Sequence, residues 1–194
     1  MDRLMRSELT LLDAFGERKY LCAKEVPRFL KAAQRMDAET DAFCRLLAYT
    51  GCRISEALQL TPRRLDPETG RVVFRTLKRR QQVFRAVPIP AEVMLMLRRI
   101  AATRTRDERL WGWTRPTAWR RVKRVMESAG IQGAHAMPKG LRHGFGVANA
   151  EGKVPMATTQ KWLGHSKLET TAIYQQAVGR EEAALARRVW RAWR

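Results

Sequence analysis

The sequence has few cysteines, few acidic residues and no long apolar segment. Its three cysteines, Cys22, Cys44 and Cys52, form no C-x-x-C pair, which argues against a disulfide framework and against a zinc site. We expect them to be small buried side chains in a reducing compartment. The apolar run from Leu9 to Phe15 is too short for a secretory signal, and no segment approaches the roughly 20 apolar residues of a membrane helix. These absences predict a cytoplasmic protein that does not bind membranes.

Basic residues outnumber acidic ones two to one. The 194 residues include 38 Lys and Arg against 19 Asp and Glu, and the resulting net charge of +19 is spread along the chain. Such an excess favours a polyanionic partner, most often nucleic acid, over the alternative of a merely solvated basic surface. The 45% hydrophobic content is sufficient for a core, so the length predicts one compact domain with short extensions.

Hydrophobic periodicity predicts a mainly helical domain with a small antiparallel sheet, an α+β fold. Gly51 is placed as a left-handed cap at the end of the second helix. Two β-rich runs, R-V-V-F-R-T-L and Q-V-F-R-A-V-P-I, predict a hairpin with a basic tip. The predicted helices cover residues 23–33, 38–49, 91–102, 116–129, 139–150, 156–163, 170–177 and 180–194, and a further short helix follows Arg53. Residues 1–19 show no clear periodicity and are interpreted as an arm or a first helix.

The residues with chemical potential concentrate between Lys139 and Tyr174, in K-G-L-R-H-G-F-G and W-L-G-H-S-K-L-E-T-T-A-I-Y. Arg142 can donate two hydrogen bonds to a phosphate, His165 can donate one more, and the Tyr174 oxygen can attack phosphorus. No cluster of carboxylates that would hold magnesium accompanies them. Cations around a tyrosine predict phosphoryl transfer through a covalent tyrosine ester, with guanidinium groups in the role that a metal has elsewhere. We therefore expect neither a metal nor a cofactor.

Two further basic positions lie upstream. Arg53, in T-G-C-R-I-S-E, follows a sharp corner and is held on a short helix. Lys78 lies at the hairpin tip with Arg79 and Arg80, where a lysine can reach a phosphate or protonate a leaving alkoxide. Taken alone, each of them is more simply a solvated surface residue.

A basic face and a pair of tryptophans complete the candidate binding residues. The outer face of the helix over 116–129 suits a phosphate track and consists of Arg120, Arg121, Lys123 and Arg124. Together with Arg79 and Arg80, these residues are predicted to bind DNA. Trp111 and Trp113 are interpreted as core residues, with stacking on bases as the alternative.

In chain order, these residues resemble the tyrosine recombinase (phage integrase) family. The most specific part of the resemblance is L-G-H-S with Tyr174 nine residues beyond His165. It extends over about residues 20–178 and implies the catalytic-domain fold of that family, preceded by an arm over 1–19 and followed by a helical tail over 179–194. Many relatives have an amino-terminal helical domain, for which there is no room before Tyr20. The chain is therefore similar to catalytic-domain-only members.

The resemblance also implies a mechanism. Arg53 and Arg142 would bind the nonbridging oxygens of a scissile phosphate, His165 would add a hydrogen bond, and Tyr174 would be the nucleophile. Lys78 would protonate the departing 5′-oxygen and leave a 3′-phosphotyrosine that a second strand's 5′-hydroxyl attacks. The implied partners are double-stranded DNA, further copies of the chain in a tetrameric synapse, and accessory DNA-binding proteins.

The sequence departs from the family at Lys139, where H-x-L-R-H is usual and K-G-L-R-H occurs. A lysine ammonium can donate to phosphate but cannot accept the tyrosine proton. His143 is implied to support the active site, with a structural histidine as the alternative, and Glu56 is predicted to orient an arginine.

The sequence is also compatible with two other functions, and it leaves the partner of the tail open. A noncatalytic DNA-binding protein could have lost turnover through Lys139, and a type IB topoisomerase uses similar residues. The tail has an apolar stripe with Trp190 and Trp193, for which docking on a neighbouring copy and packing within the same chain are equally good interpretations.

Overall fold

The computed structural model describes residues 10–76, 83–176 and 180–193. Most of these residues lie in helices, and three strands form a small antiparallel sheet, so the predicted α+β class is confirmed. The helices are α1 (Glu25–Ala33), α2 (Ala38–Thr50), α3 (Ile54–Ala57), α4 (Ala91–Ala101), α5 (Arg115–Ser128), α6 (Pro138–Glu151), α7 (Met156–Leu163), α8 (Glu169–Ala172) and α9 (Arg180–Ala192). The strands are β1 (Leu65–Asp66), β2 (Arg71–Thr76) and β3 (Val83–Pro88), and short 3-10 turns cover Pro62–Arg64 and Ile173–Gln176.

Helix α2 begins and ends at residues whose chemistry favours a helix boundary. The Asp37 carboxylate accepts a hydrogen bond from the Thr40 backbone N–H at 3.0 Å, which satisfies one of the unpaired donors of the first turn. At the other end Gly51 has a left-handed φ of 58°, as predicted. Glycine adopts this conformation at little cost because it has no Cβ. The resulting corner leads directly to Arg53 at the start of α3.

Strands β2 and β3 form the predicted hairpin and pair antiparallel along their whole length. Strand β1 pairs with the other edge of β2, which gives the order β1-β2-β3. Alternate residues of β2 are buried because successive side chains of a strand point to opposite faces. The predicted tip, Lys78 with Arg79 and Arg80, lies outside the described residues.

Trp111 lies in the main core, where it is fully buried. Its ring meets Phe43 edge to face, with 4.9 Å between ring centroids. Trp113 is half-buried and makes a second edge contact with Phe43 at 5.4 Å. Aromatic pairs of this geometry stabilise a core beyond their buried area. The prediction is confirmed for Trp111, whereas Trp113 is only partly buried and packs against the core from outside.

The three cysteines are free thiols. Cys44 and Cys52 are buried in the main core, as predicted. For Cys22 the prediction is wrong: this residue is half-buried, because it packs onto the outside of a second, smaller apolar cluster.

This second cluster holds the segment around Tyr174 against α6. Its buried members are Leu11, Tyr20, Val147, Leu163, Ile173 and Tyr174. Residues 10–19 form no helix and fold back through a β-bridge between Leu12 and Arg18. Because Leu11 is buried in the cluster, this part of the predicted arm packs onto the domain.

Helix α9 exposes Val189 and Trp190, and Trp193, in the turn that follows the helix, is exposed as well. Trp193 has 77% of its surface exposed, so docking of this stripe on a neighbouring copy stays a prediction. Across the described ranges, no helix has both the length and the apolar character that crossing a bilayer requires.

Candidate active site

Helix α6 holds Arg142 in the interior, between the ends of two other helices. Its guanidinium group donates hydrogen bonds to the carbonyl oxygens of Gly51 at 2.7 Å and Leu163 at 2.8 Å. Both acceptors lie at the carboxyl ends of helices, where carbonyls carry partial negative charge. Burial lowers the pKa of Arg142 to about 10, and the charge of Arg53 contributes. Arg142 is therefore a rigidly held cation at neutral pH.

Arg53 precedes α3 and is oriented by Glu56, three residues along the chain. The Glu56 carboxylate accepts hydrogen bonds from the Arg53 backbone N–H at 2.9 Å and from its guanidinium at 3.0 Å. Burial alone would raise the pKa of Glu56, but Arg85 and Arg53 hold it below its ordinary value. The Arg53 side chain is 27% exposed, so its guanidinium has surface available to an incoming anion.

A second arginine, Arg85 on β3, binds the same carboxylate. Its guanidinium donates to Glu56 Oε2 at 2.6 Å, and the side chain is 3% exposed. Arg85 lies in none of the motifs that predict the site, although its place in a strand gives one signal. Arg85 and Val87 alternate along β3 as its buried residues. An arginine at such a position is rarely buried unless it is paired.

His165 follows the left-handed glycine that ends α7. Its Nδ1 lies 2.9 Å from Thr171 Oγ1, and its ring stacks on that of Tyr174 with 6.2 Å between centroids. Burial, followed by the charges of Arg142 and Arg53, lowers the pKa of His165 to about 3. The imidazole is therefore neutral at physiological pH and contributes hydrogen bonds rather than charge.

Tyr174 lies in the 3-10 turn Ile173–Gln176, with its hydroxyl inside the protein. The oxygen is 3.2 Å from Nδ1 of His143, and the residue is 2% exposed. Burial raises the pKa of Tyr174, whereas Arg142 and Arg53 act in the opposite direction. Both guanidinium groups are thus close enough to favour a phenolate electrostatically.

The segment around Tyr174 is not the regular helix predicted over residues 170–177. Helix α8 ends at Ala172, and the chain continues in the tighter 3-10 turn. Helices this short are not stable by themselves, so packing decides the local geometry. Here the adjacent residues Ile173 and Tyr174 are both buried in the cluster that contacts α6.

His143 neighbours Arg142 on α6 and supplies the partner of the Tyr174 hydroxyl. Burial lowers the pKa of His143 to about 4, and the charge of Lys139 contributes. Lys139 itself is exposed in the first turn of α6. A neutral histidine, and not Lys139, therefore lies in hydrogen-bonding contact with the phenol.

Most of the predicted site residues share one region of the structure. They are Arg53, Glu56, Arg142, His143, His165 and Tyr174. Lys139 lies at its edge, and Lys78 lies outside the described residues. Among the residues that the structure describes, no group of three or more His, Cys, Asp or Glu side chains is arranged to bind a metal ion.

The predicted basic face of α5 divides into two pairs. Arg120 and Arg124 are exposed. Arg121 instead donates to the Asp37 carboxylate at 2.8 Å and lies over an indole ring at 4.3 Å. Lys123 donates to a backbone carbonyl before α6 at 3.0 Å. The first pair is available to a partner, whereas the second pair is engaged within the protein.

The sequence matches the phage integrase family over residues 19–180. It is 29% identical, over 162 residues, to tyrosine recombinase XerA of Saccharolobus solfataricus, with 84% of this chain and 53% of that protein covered. The chain thus spans about half the length of the curated relatives it matches.

The fold is similar to those of solved recombinases and integrases. One is the XerH site-specific recombinase bound to palindromic difH substrate in a post-cleavage complex, with a TM-score of 0.77, 22% identity, and 89% of this chain and 53% of that chain covered. Another is the catalytic domain of bacteriophage HP1 integrase, with a TM-score of 0.65, 24% identity, and 86% and 93% covered. The predicted catalytic-domain fold is therefore confirmed.

Proposed function

The chain belongs to the phage integrase family, and from that premise we propose that it cuts and rejoins double-stranded DNA as a tyrosine recombinase. The observation that carries the proposal is the packing of Tyr174 against the helix that carries Arg142 and His143, with its ring stacked on that of His165. A hydroxyl nucleophile among fixed cations is suited to phosphoryl transfer. The net charge of +19 suits a DNA substrate.

The proposed first step is an in-line transesterification. The Tyr174 oxygen forms a bond to the scissile phosphorus, while the bond between phosphorus and the 5′-oxygen breaks. Arg53 and Arg142 donate hydrogen bonds to the nonbridging oxygens and stabilise the charge of the transition state. His165 adds a further donor to the same phosphate.

Two protons move in this step. The phenolic proton passes to Nδ1 of His143, which is neutral and contacts the hydroxyl at 3.2 Å in the buried arrangement, and this assignment requires the contact to persist when the Tyr174 segment shifts. Lys139 is not assigned this role, because an ammonium group has no lone pair to accept a proton. Lys78 gives a proton to the departing 5′-oxygen.

The products are a 3′-phosphotyrosine and a free 5′-hydroxyl. The bond between Tyr174 and the phosphate replaces the broken DNA phosphodiester bond. The 5′-hydroxyl of a second strand can therefore attack the phosphorus, which restores a DNA phosphodiester and releases the Tyr174 hydroxyl. The reaction then needs no nucleotide hydrolysis. Strand exchange between two duplexes would involve four copies of the chain in the synapse, with accessory DNA-binding proteins as further partners, in the cytoplasm.

Tyr174 must become accessible before it can attack. The residue is 2% exposed, so a DNA phosphate cannot reach the hydroxyl in the present arrangement. We expect DNA binding to shift the segment over residues 169–176, which carries Tyr174, toward Arg53 and Arg142. The apolar stripe of the tail, with Trp190 on α9 and Trp193 just after it, would then contact a neighbouring copy.

The test is covalent adduct formation on a nicked suicide substrate, from which the cleaved strand end diffuses away. Tyr174→Phe should abolish the adduct and leave DNA binding nearly intact, because only the nucleophilic oxygen is lost. Tyr49→Phe is the matched control, since Tyr49 is a half-buried tyrosine on α2 outside the site, and it should form adduct like the wild type. Adduct formation by Tyr174→Phe would refute the assignment of the nucleophile.

The adduct assay and a plasmid relaxation assay together separate the alternatives. Wild-type protein that binds the DNA but forms no adduct would indicate a noncatalytic DNA-binding protein. Relaxation of plasmid DNA by the monomer regardless of sequence would indicate a topoisomerase instead.

A further inference from the structure

A hollow of about 150 Å³ lies between the end of α3, the 3-10 turn after it and strand β2. Its volume is roughly ten times what one water molecule needs, so a group of the size of a phosphate can enter. Three arginines line the hollow, Arg63, Arg64 and Arg75, together with two carboxylates, Glu56 and Asp107. The hollow thus has more positive than negative groups in its walls.

Both carboxylates of the hollow already have arginine partners. Glu56 accepts hydrogen bonds from Arg53 at 3.0 Å and from Arg85 at 2.6 Å. Asp107 accepts one from Arg63 at 2.7 Å. Because each negative charge is paired, its repulsion of an incoming anion is offset.

Among the described residues, the two other arginines of the hollow, Arg64 and Arg75, form no ion pair. Arg64 instead lies over the ring of Phe84, 4.3 Å from the ring centroid. Phe84 is also the direct partner of Arg75 in the pairing of β2 with β3. Two uncompensated cations that line one hollow repel each other, and an anion bound between them would replace this repulsion with attraction.

The stacking of Arg64 on Phe84 leaves its donors available to such an anion. The ring contacts the face of the guanidinium, whereas the N–H donors point outward in its plane. The edge of a guanidinium matches two oxygens of a phosphate and can donate a hydrogen bond to each. Arg75 is exposed and lines the same hollow. The arrangement therefore suits an oxyanion with several oxygens, such as a phosphate.

Glu56 connects the hollow with the candidate active site. The same side chain lines the hollow and holds the guanidinium of Arg53 at 3.0 Å. A group in the hollow is therefore separated from Arg53 by little more than one side chain. Each strand of DNA carries a phosphate about every 3.4 Å along the helix axis. A duplex with its scissile phosphate at Arg53 thus has further phosphates at this short range.

We propose that Arg64 and Arg75 form a second phosphate subsite, which binds one backbone phosphate of the DNA close to the scissile one. This inference rests on the proposed function, which supplies DNA as the partner. The subsite contributes no group to the reaction. Because phosphate contacts fix the register of a protein on a duplex, it helps to set the scissile bond at Arg53.

The first test is the salt dependence of binding to a mixed-sequence duplex of about 40 base pairs, since phosphate contacts do not depend on sequence. The double variant Arg64→Ala, Arg75→Ala should bind more weakly and lower the slope of log K against log salt by about 0.9, the value for one phosphate. Its deficit relative to wild type should therefore shrink about 3.5-fold as salt rises from about 50 to about 200 mM.

Arg71→Ala is the matched control for this titration. Arg71 is exposed on the same face of β2, lies outside the hollow and is paired across the strands with Asp66. Its slope should equal that of wild type. If the double variant does not fold, Arg75→Ala alone replaces it, because Arg75 is an exposed side chain whose loss leaves the core intact.

The second test locates the phosphate on the suicide substrate. A methylphosphonate, in which a methyl group replaces one nonbridging oxygen and removes the charge, is placed at each phosphate near the cleavage site in turn. Tyr174→Phe is the background protein, so that the DNA stays uncut. Affinity should fall at the phosphate that enters the hollow, and the addition of Arg75→Ala should cause no further loss at that phosphate. At the other phosphates the two losses should add.

The outcomes separate this proposal from the proposed function. An unchanged slope for the arginine variants, an equal change for Arg71→Ala, or additive losses at every phosphate would overturn the subsite. A slope lowered by about 1.8 would contradict a single shared phosphate. The salt titrations need no cleavage. If the wild type forms no adduct but the slopes change as expected, the proposed function fails and the subsite stands.

Discussion

Burial keeps the two histidines and the tyrosine of the candidate site in their neutral forms. It lowers the pKa of His143 to about 4 and of His165 to about 3, so both imidazoles are neutral at physiological pH. It also raises the pKa of Tyr174. Arg142, with its pKa lowered to about 10, remains cationic. The positive charge of the site therefore comes from guanidinium groups and does not vary over the physiological range.

The two buried histidines of the candidate site, His143 and His165, predict a loss of stability in mild acid. Both have folded-state pKa values below the ordinary value of 6.5. Below that pH the unfolded chain therefore binds protons that the folded chain does not bind. The free energy of unfolding should therefore fall as the pH drops from about 6.5 toward about 3, by up to about 1.4 kcal/mol per pH unit for each histidine. Urea unfolding at pH steps between about 7 and 5 measures this slope.

His165→Asn is the informative variant for this slope. It removes one of the two groups and should roughly halve the slope. Glu25 does not interfere in this window, because its pKa is lowered to about 2 from 4.5 and its contribution is lost only in stronger acid. A free energy of unfolding that stays constant between about pH 7 and 5 would contradict the buried, neutral histidines.

At the scale of elements, α6 is the scaffold of the candidate site. It carries Arg142 and His143 at adjacent positions and receives the Tyr174 ring against Gly146. The approach is close: a Cβ on Gly146 would lie 2.5 Å from two ring atoms of Tyr174. The missing side chain of one glycine is thus what allows the tyrosine to pack against the helix that holds Arg142.

Gly146→Ala should displace the segment around Tyr174. Alanine favours a helix over glycine by about 1 kcal/mol, but the overpacking against the Tyr174 ring costs about 1–3 kcal/mol. We therefore expect a net loss of stability in urea unfolding, greater solvent exposure of Tyr174 in ultraviolet difference spectra, and slower adduct formation. Gly112→Ala is the control, since no atom lies within 4 Å of a Cβ at that position. Equal behaviour of the two variants would contradict the observed packing.

At the scale of the whole molecule, the charge of +19 is only partly available to a partner. On α5, Arg121 and Lys123 are engaged by Asp37 and a backbone carbonyl, whereas Arg120 and Arg124 are exposed. An exposed arginine that contacts a DNA phosphate releases a counterion, which makes binding dependent on salt. A basic residue that is paired within the protein does not contact a phosphate, so it does not add to the salt dependence of DNA binding.

The double variant Arg120→Ala, Arg124→Ala should weaken DNA binding and lower the dependence of log K on log salt. If both residues contact phosphates, the slope should decrease in magnitude by about 1.8, which is about 0.9 for each contact. Titrations at several salt concentrations measure this slope. Arg121→Ala is the comparison, and it should instead lower protein stability, because it loses its contacts with Asp37 and Trp113. An unchanged slope for the double variant would place this face away from DNA.

The sequence by itself determined the features that depend on local chemistry. The α+β class follows from hydrophobic periodicity, and the corner before Arg53 follows from Gly51, whose left-handed conformation requires no partner. The burial of Trp111 follows from its large apolar surface. The candidate residues Arg53, Arg142, His165 and Tyr174 are also readable from the chain, because each lies in a short motif with its own chemical character.

Only the tertiary structure decided which distant groups meet. It placed the buried guanidinium of Arg85 between α3 and α7, and it directed the Tyr174 hydroxyl to His143. It also paired Arg121 with Asp37, 84 residues away in the chain. Such contacts join residues from different elements, so they depend on how the elements dock. A local pattern shows which side of a strand or helix is buried, but the partner of a buried charge is chosen only when two elements pack together.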